Sequence, residues 1–123
     1  MTAAVRALVP MAHVKNIQSS TAFYGLLGFE VVNTFVPHGS KEPTWAYLRS
    51  DRAQLMVAVA DEPVVPSQQA VLFYCYCDDV AMLRDELLAR GVAAGPITTP
   101  FYAPRGEFRV KDPDGYSIMV THT

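Results

Sequence analysis

Five ring side chains stand at spacings that let them act together. Trp45 and Tyr47 are two residues apart, as are Tyr74 and Tyr76, and Phe108 lies in a further apolar run. On a β-strand a spacing of two puts side chains on one face. Rings gathered on one face can stack against a planar ligand or against each other. Three methionines, Met11, Met56 and Met119, lie in comparable runs, and their flexible thioethers suit an irregular apolar gap or an imprecise ligand. An aromatic stripe at strand spacing also builds an ordinary core, and that reading stands beside the binding one.

The polar candidates are few. His13 is the one histidine at a strand position of matching parity. No carboxylate partner of the same parity stands near it, so it reads as a hydrogen-bonded wall in preference to a catalytic base. Gln54 offers a polar tip on the same side. Arg105 and Glu107 flank Gly106 and could hold a polar ligand end or pair with one another in solvent. His38, in a polar loop, and His122, near the end of the sequence, are expected in solvent. Cys75 and Cys77 share one strand face and are too far apart along it to bridge each other, which suits free thiols in a reducing compartment.

The elements that must position these residues emerge from an internal repeat. Laid over itself without a gap at an offset of 63 residues, the chain matches Asn16 with Asp79, Gly28 with Gly91, Trp45 with Phe108 and Met56 with Met119. Residues 9–58 share only five identities with 72–121, so the repeat is one of pattern. Each copy starts with an apolar run, at 8–15 and 70–77. A helix follows, opened by a capping side chain and closed by glycine. Three further strands complete each copy, at 29–36, 44–48 and 53–60 and then at 92–98, 107–111 and 116–121. The expectation is one domain, residues 1–123, made of two modules at about 8–60 and 70–121 joined by a Pro-bearing linker at about 61–69.

Four-residue turns at 49–52 and 112–115 would set Leu48 opposite Ala53 and Lys111 opposite Tyr116. Trp45 then faces Met56 across the hairpin, and Phe108 faces Met119. The same parity adds Tyr47 and Gln54, with Val110 and Ser117 in the second module. Met11 and His13 share a face with Val9, and Tyr74 and Tyr76 share one with Leu72. The opposite face, with Leu55, Val57, Val59, Phe73, Cys75, Ile118 and Val120, would pack under the helices.

Composition bounds the rest. Half the residues are hydrophobic and the net charge is −2, so a compact folded domain is expected, with no basic footprint for nucleic acid. No apolar run reaches membrane-spanning length, and the first ten residues lack the apolar segment of a secretory signal. A soluble, cytoplasmic protein is the expectation.

Taken together, "FYGLLGFEVV" at the end of the first helix, "CDDVAMLRDELLARGV" as the second, and "RGEFRVKDPDGYSIMV" near the end resemble the glyoxalase/bleomycin-resistance/dioxygenase superfamily, the vicinal oxygen chelate proteins. The last motif resembles the bleomycin-resistance-like branch most. The resemblance implies an α+β fold of tandem βαβββ modules forming curved mixed sheets around a cavity, and a homodimer. It also implies four metal-ligand positions, early in the first strand and in the last strand of each module. Here these fall on Val9, Met56, Leu72 and Met119, which offer no donor for a hard or borderline divalent ion.

The expectation is therefore no metal and no cofactor. A small aromatic or amphipathic molecule would be held by Met11, His13, Trp45, Tyr47, Gln54, Met56, Tyr74, Tyr76, Arg105, Phe108 and Met119, as in antibiotic sequestration. Two enzyme readings stand beside it. One is a metal-dependent lyase, isomerase or dioxygenase with relocated ligands such as His13, Glu30 and Glu107. The other is a metal-free enzyme using His13 or a tyrosine as acid or base. No acidic cluster is expected on the inferred face to receive a large cationic drug such as bleomycin.

Overall fold

The structure is a computed structural model that describes residues 3–123. The chain divides into two compact units, one ending at Val64 and the other spanning Val65–Thr123.

In the first unit, β1 (Met11–Val14) leads into α1 (Ile17–Leu26), followed by β2 (Glu30–Phe35), β3 (Trp45–Ser50) and β4 (Ala53–Val59). Asn16 caps α1 with its side chain, which accepts from the Ser19 N–H. Gly28, at φ +95°, takes the left-handed position after the helix, where a side chain would be strained. The strands form one mixed sheet in the order β1-β4-β3-β2. β1 runs parallel to β4, and the other pairs are antiparallel. Ala12, Val14, Ala46, Leu48, Leu55 and Val57 alternate along their strands and are all buried, as are Ile17, Phe23 and Tyr24 of α1. Helix α1 packs across β2, β3 and β4, so one sheet face is core and the other is left to carry a site. Val59 departs from the expected core row: at the end of β4 it is 40% exposed.

The second unit holds β5 (Leu72–Cys77), α2 (Val80–Ala89), β6 (Phe108–Lys111) and β7 (Ser117–His122). Helix α2 lies 63 residues after α1 at both ends, with Asp79 capping it through the Met82 N–H. The sheet order is β5-β7-β6, with β5 parallel to β7. The strand expected over 92–98 does not form. Only Thr98 makes a bridge, to Glu107, while Pro96 removes a ladder donor and Gly95 is tied to Arg84 Nε through its carbonyl at 2.6 Å.

The two hairpins differ, although the repeat aligns them. In the first, Ser50 pairs with Ala53 around a two-residue turn, so Leu48 meets Leu55, Tyr47 meets Met56 and Trp45 meets Ala58. The expected register is off by two, and parity survives. In the second, Lys111 pairs with Ser117 and Phe108 with Val120, a shift of one that turns every β6 side chain to the other face. The cause lies in the Asp112–Tyr116 turn. The Asp112 carboxylate accepts from the Asp114 and Tyr116 N–H groups, each at 2.9 Å, and Gly115 sits at φ +86°. Asp112 N–H then reaches the Tyr116 carbonyl at 3.0 Å, leaving an odd number of residues in the loop.

Candidate functional site

The open face of the first sheet is built in rows, because directly paired residues share a face. One row runs Met11, Met56, Tyr47, Asn33; the next runs His13, Ala58, Trp45, Phe35; a third joins Gln54, Arg49 and Glu30. All six residues expected from this unit, Met11, His13, Trp45, Tyr47, Gln54 and Met56, therefore fall on one face. Trp45, Tyr47 and Met56 are half-buried, and Met11, His13 and Gln54 are exposed. The rings of Trp45 and Tyr47 meet edge to face at 6.3 Å. The Tyr47 hydroxyl donates to Gln54 Oε1, which fixes one ring edge and leaves its face free. Phe35, 57% exposed, joins this wall through its pairing with Trp45. Sequence parity alone misses it because a bulge at Val32 shifts the register between Val31 and Asn33.

On the second sheet the open face carries Leu72, Tyr74 and Tyr76 of β5, with Ser117, Met119 and Thr121 beside them on β7. Tyr74 and Tyr76 stack with centroids 6.3 Å apart and are both exposed.

Phe108 does not join them. It is 1% exposed, with Val110, Ile118 and Val120 equally buried, because the one-residue register shift turns it into the core. The same shift removes Val110 from the expected face and brings Arg109 and Lys111 onto it, opposite Met119 and Ser117. Arg105 is not directed at Glu107. Its backbone N–H donates to His122 Nε2 at 3.0 Å, and its guanidinium meets His122 Nδ1 at 2.9 Å and the Thr123 backbone oxygen. His122 is thus engaged and half-buried instead of solvated.

Glu107 instead accepts from the Tyr102 hydroxyl at 3.0 Å. That bond to the carboxylate is the main reason the Tyr102 phenol is held above its ordinary pKa, with Tyr74 nearby contributing. Burial pushes the Cys75 thiol up to about 11, reinforced by Cys77. Both cysteines are free, and their raised pKa values make them poor nucleophiles.

The metal-ligand positions that the resemblance implies carry apolar and thioether side chains. Met56 and Met119 occupy equivalent register positions, beside Met11 and Tyr74. Val9 and Leu72 have no donor atoms. Thioethers and hydrocarbons do not fit a hard or borderline divalent ion. Among the described residues, no group of three or more His, Cys, Asp or Glu side chains could hold one.

The chain belongs to the Glyoxalase/Bleomycin resistance protein/Dioxygenase superfamily, whose family model matches residues 8–120. Its fold is that of a bleomycin resistance determinant encoded on the transposon Tn5, with TM-score 0.74 and 18% identity over 97% of this chain and 98% of that one. A bleomycin-binding protein solved with bleomycin aligns at TM-score 0.73 and 18% identity over 97% and 99% of the two chains. The antibiotic binding protein TnmS3 from Streptomyces sp. CB03234 aligns at TM-score 0.73 and 20% identity over 99% and 98%. None of the curated proteins compared by sequence matches the chain. Among the described residues no helix is long and apolar enough to cross a membrane.

Proposed function

We propose that this protein binds a small aromatic or amphipathic molecule without a metal ion, and that its biological role is the sequestration of an antibiotic or a similar planar compound. The observation that carries the reading is the open face of the first sheet. Trp45, Tyr47, Phe35, Met11 and Met56 form two adjacent rows there that α1 does not cover. Rings left half-buried on a sheet face offer stacking area with little side-chain entropy to lose, and methionines adapt to ligand shape. Tyr74, Tyr76 and Met119 repeat the chemistry on the second sheet. Likeness to bleomycin-binding and antibiotic-binding proteins supports the same class of ligand. Free Cys75 and Cys77 suit a reducing cytoplasm.

The test is calorimetric titration of dialysed protein with a panel of planar aromatic antibiotics, alongside elemental analysis. Saturable binding near one ligand per chain, unchanged by EDTA and with no stoichiometric metal, is expected. A tightly held ion whose removal abolishes binding would overturn the metal-free reading.

We also infer a homodimer. Edge strand β2 exposes Val31, Val32 and Phe35, each by about half or more, and such an edge is commonly covered in isolated chains. Light scattering at micromolar concentration should give twice the chain mass; a monomer mass would contradict it.

A further inference from the structure

The second unit holds a buried carboxylate with half of its hydrogen-bonding capacity unused. Glu107 is 4% exposed. Its Oε1 accepts from Tyr102, while Oε2 is buried and has no hydrogen-bond partner. An orphaned carboxylate oxygen away from water is costly, and in a native protein it implies a partner of another kind. Arg109, two residues further along the chain in β6, makes no hydrogen bond to this oxygen.

The surroundings identify the partner. Phe108 pairs with Val120, so Glu107, one residue back, stands level with Thr121, which is itself paired with Tyr76. Tyr74 stacks on Tyr76 and also neighbours the Tyr102 hydroxyl. A buried carboxylate bonded to the Tyr102 hydroxyl, with the stacked Tyr74–Tyr76 pair across β7 from it, is matched to an organic cation. The ammonium supplies donors that the orphan oxygen lacks, in charge-assisted bonds, and ring faces attract the positive charge.

We propose that Glu107, with Tyr102 bonded to it and the Tyr74–Tyr76 pair across β7, receives a protonated amine of the captured molecule. The inference rests on the reading of the open faces as a ligand surface, and it narrows the ligand to aromatic compounds that carry an alkylamine. Tyr102 guards the entry. Its ring is 58% exposed and packs edge-on against Phe101, which is 95% exposed, so its hydroxyl can leave Oε1 with little loss of packing.

The test compares three probes by calorimetry at neutral pH: naphthylethylammonium, neutral naphthylethanol and anionic naphthylacetate. Wild type should bind the ammonium about tenfold more tightly than the alcohol, and the anion most weakly. Glu107→Gln should bring the ammonium down to the affinity of the alcohol and leave the alcohol within about twofold of its wild-type value. Equal binding of ammonium and alcohol by wild type, or a preference that survives Glu107→Gln, would overturn the amine subsite and leave aromatic binding intact. Failure of all three probes to bind would count against both. Should Glu107→Gln not fold, Tyr102→Phe decides: it frees Oε1, so the preference for ammonium must rise, and an unchanged preference overturns the proposal.

Discussion

Phe108 shows how much one residue of register can change. It shares its repeat position with Trp45, yet Trp45 is half-buried on an open face and Phe108 lies 1% exposed in the core. Truncating it should therefore act on stability. Phe108→Ala is expected to cost ~3–5 kcal/mol in chemical denaturation, the range for a buried ring, and to leave the affinity for aromatic probes unchanged in protein kept below its unfolding transition. Weakened binding with an undiminished melting temperature would return Phe108 to the ligand surface. The charged residues go the other way: Glu107, Arg109 and Lys111 share the face opposite Phe108 and Val110, where spacing alone predicts no acidic cluster. Of the three only Glu107 can attract an ammonium, since Arg109 and Lys111 repel one, so the amine preference proposed for this surface rests on that carboxylate alone.

At the scale of elements, legibility tracked the range of the forces involved. The helix ends were readable to within a few residues, because the capping side chains, Asn16 and Asp79 in the structure, and the stops at Gly28 and Gly91 act locally. The strand faces of the first module were readable because a two-residue error in a hairpin preserves parity. The second hairpin was not, since its register depends on two hydrogen bonds to the Asp112 carboxylate that spacing does not reveal. The strand expected over 92–98 is cut short for a related reason: Gly95 and Thr98 bond across to Arg109 and Glu107, but Pro96 between them has no N–H to continue the ladder. Gly115 tests the importance of that turn. A Cβ on it would lie 2.5 Å from Pro66 Cβ and 2.7 Å from Pro66 Cα at φ +86°, so Gly115→Ala should destabilise by ~2–4 kcal/mol through strain and overlap. Gly39, at φ +82° with open space around its Cβ position, provides the comparison: Gly39→Ala should cost about 1 kcal/mol. Equal losses in thermal melts would show that the Pro66 contact is unimportant.

For the whole molecule, the family supplies the scaffold and the side chains decide its use. The positions implied for metal ligands hold Val9, Met56, Leu72 and Met119, and the sheet faces around them hold rings and thioethers instead of a hard-ion site. On the proposed reading, a surface of this composition captures planar molecules by stacking, with any charge preference set at Glu107. The most direct measurement uses Trp45, the single tryptophan, whose emission can report only the open face of the first sheet. Titration with planar aromatic compounds that do not absorb at the exciting or emitting wavelengths should produce a saturable change in Trp45 fluorescence, and Tyr47→Ala should weaken it by about three- to tenfold through loss of a neighbouring ring. Emission that stays constant across the panel, while calorimetry detects no binding, would contradict the account.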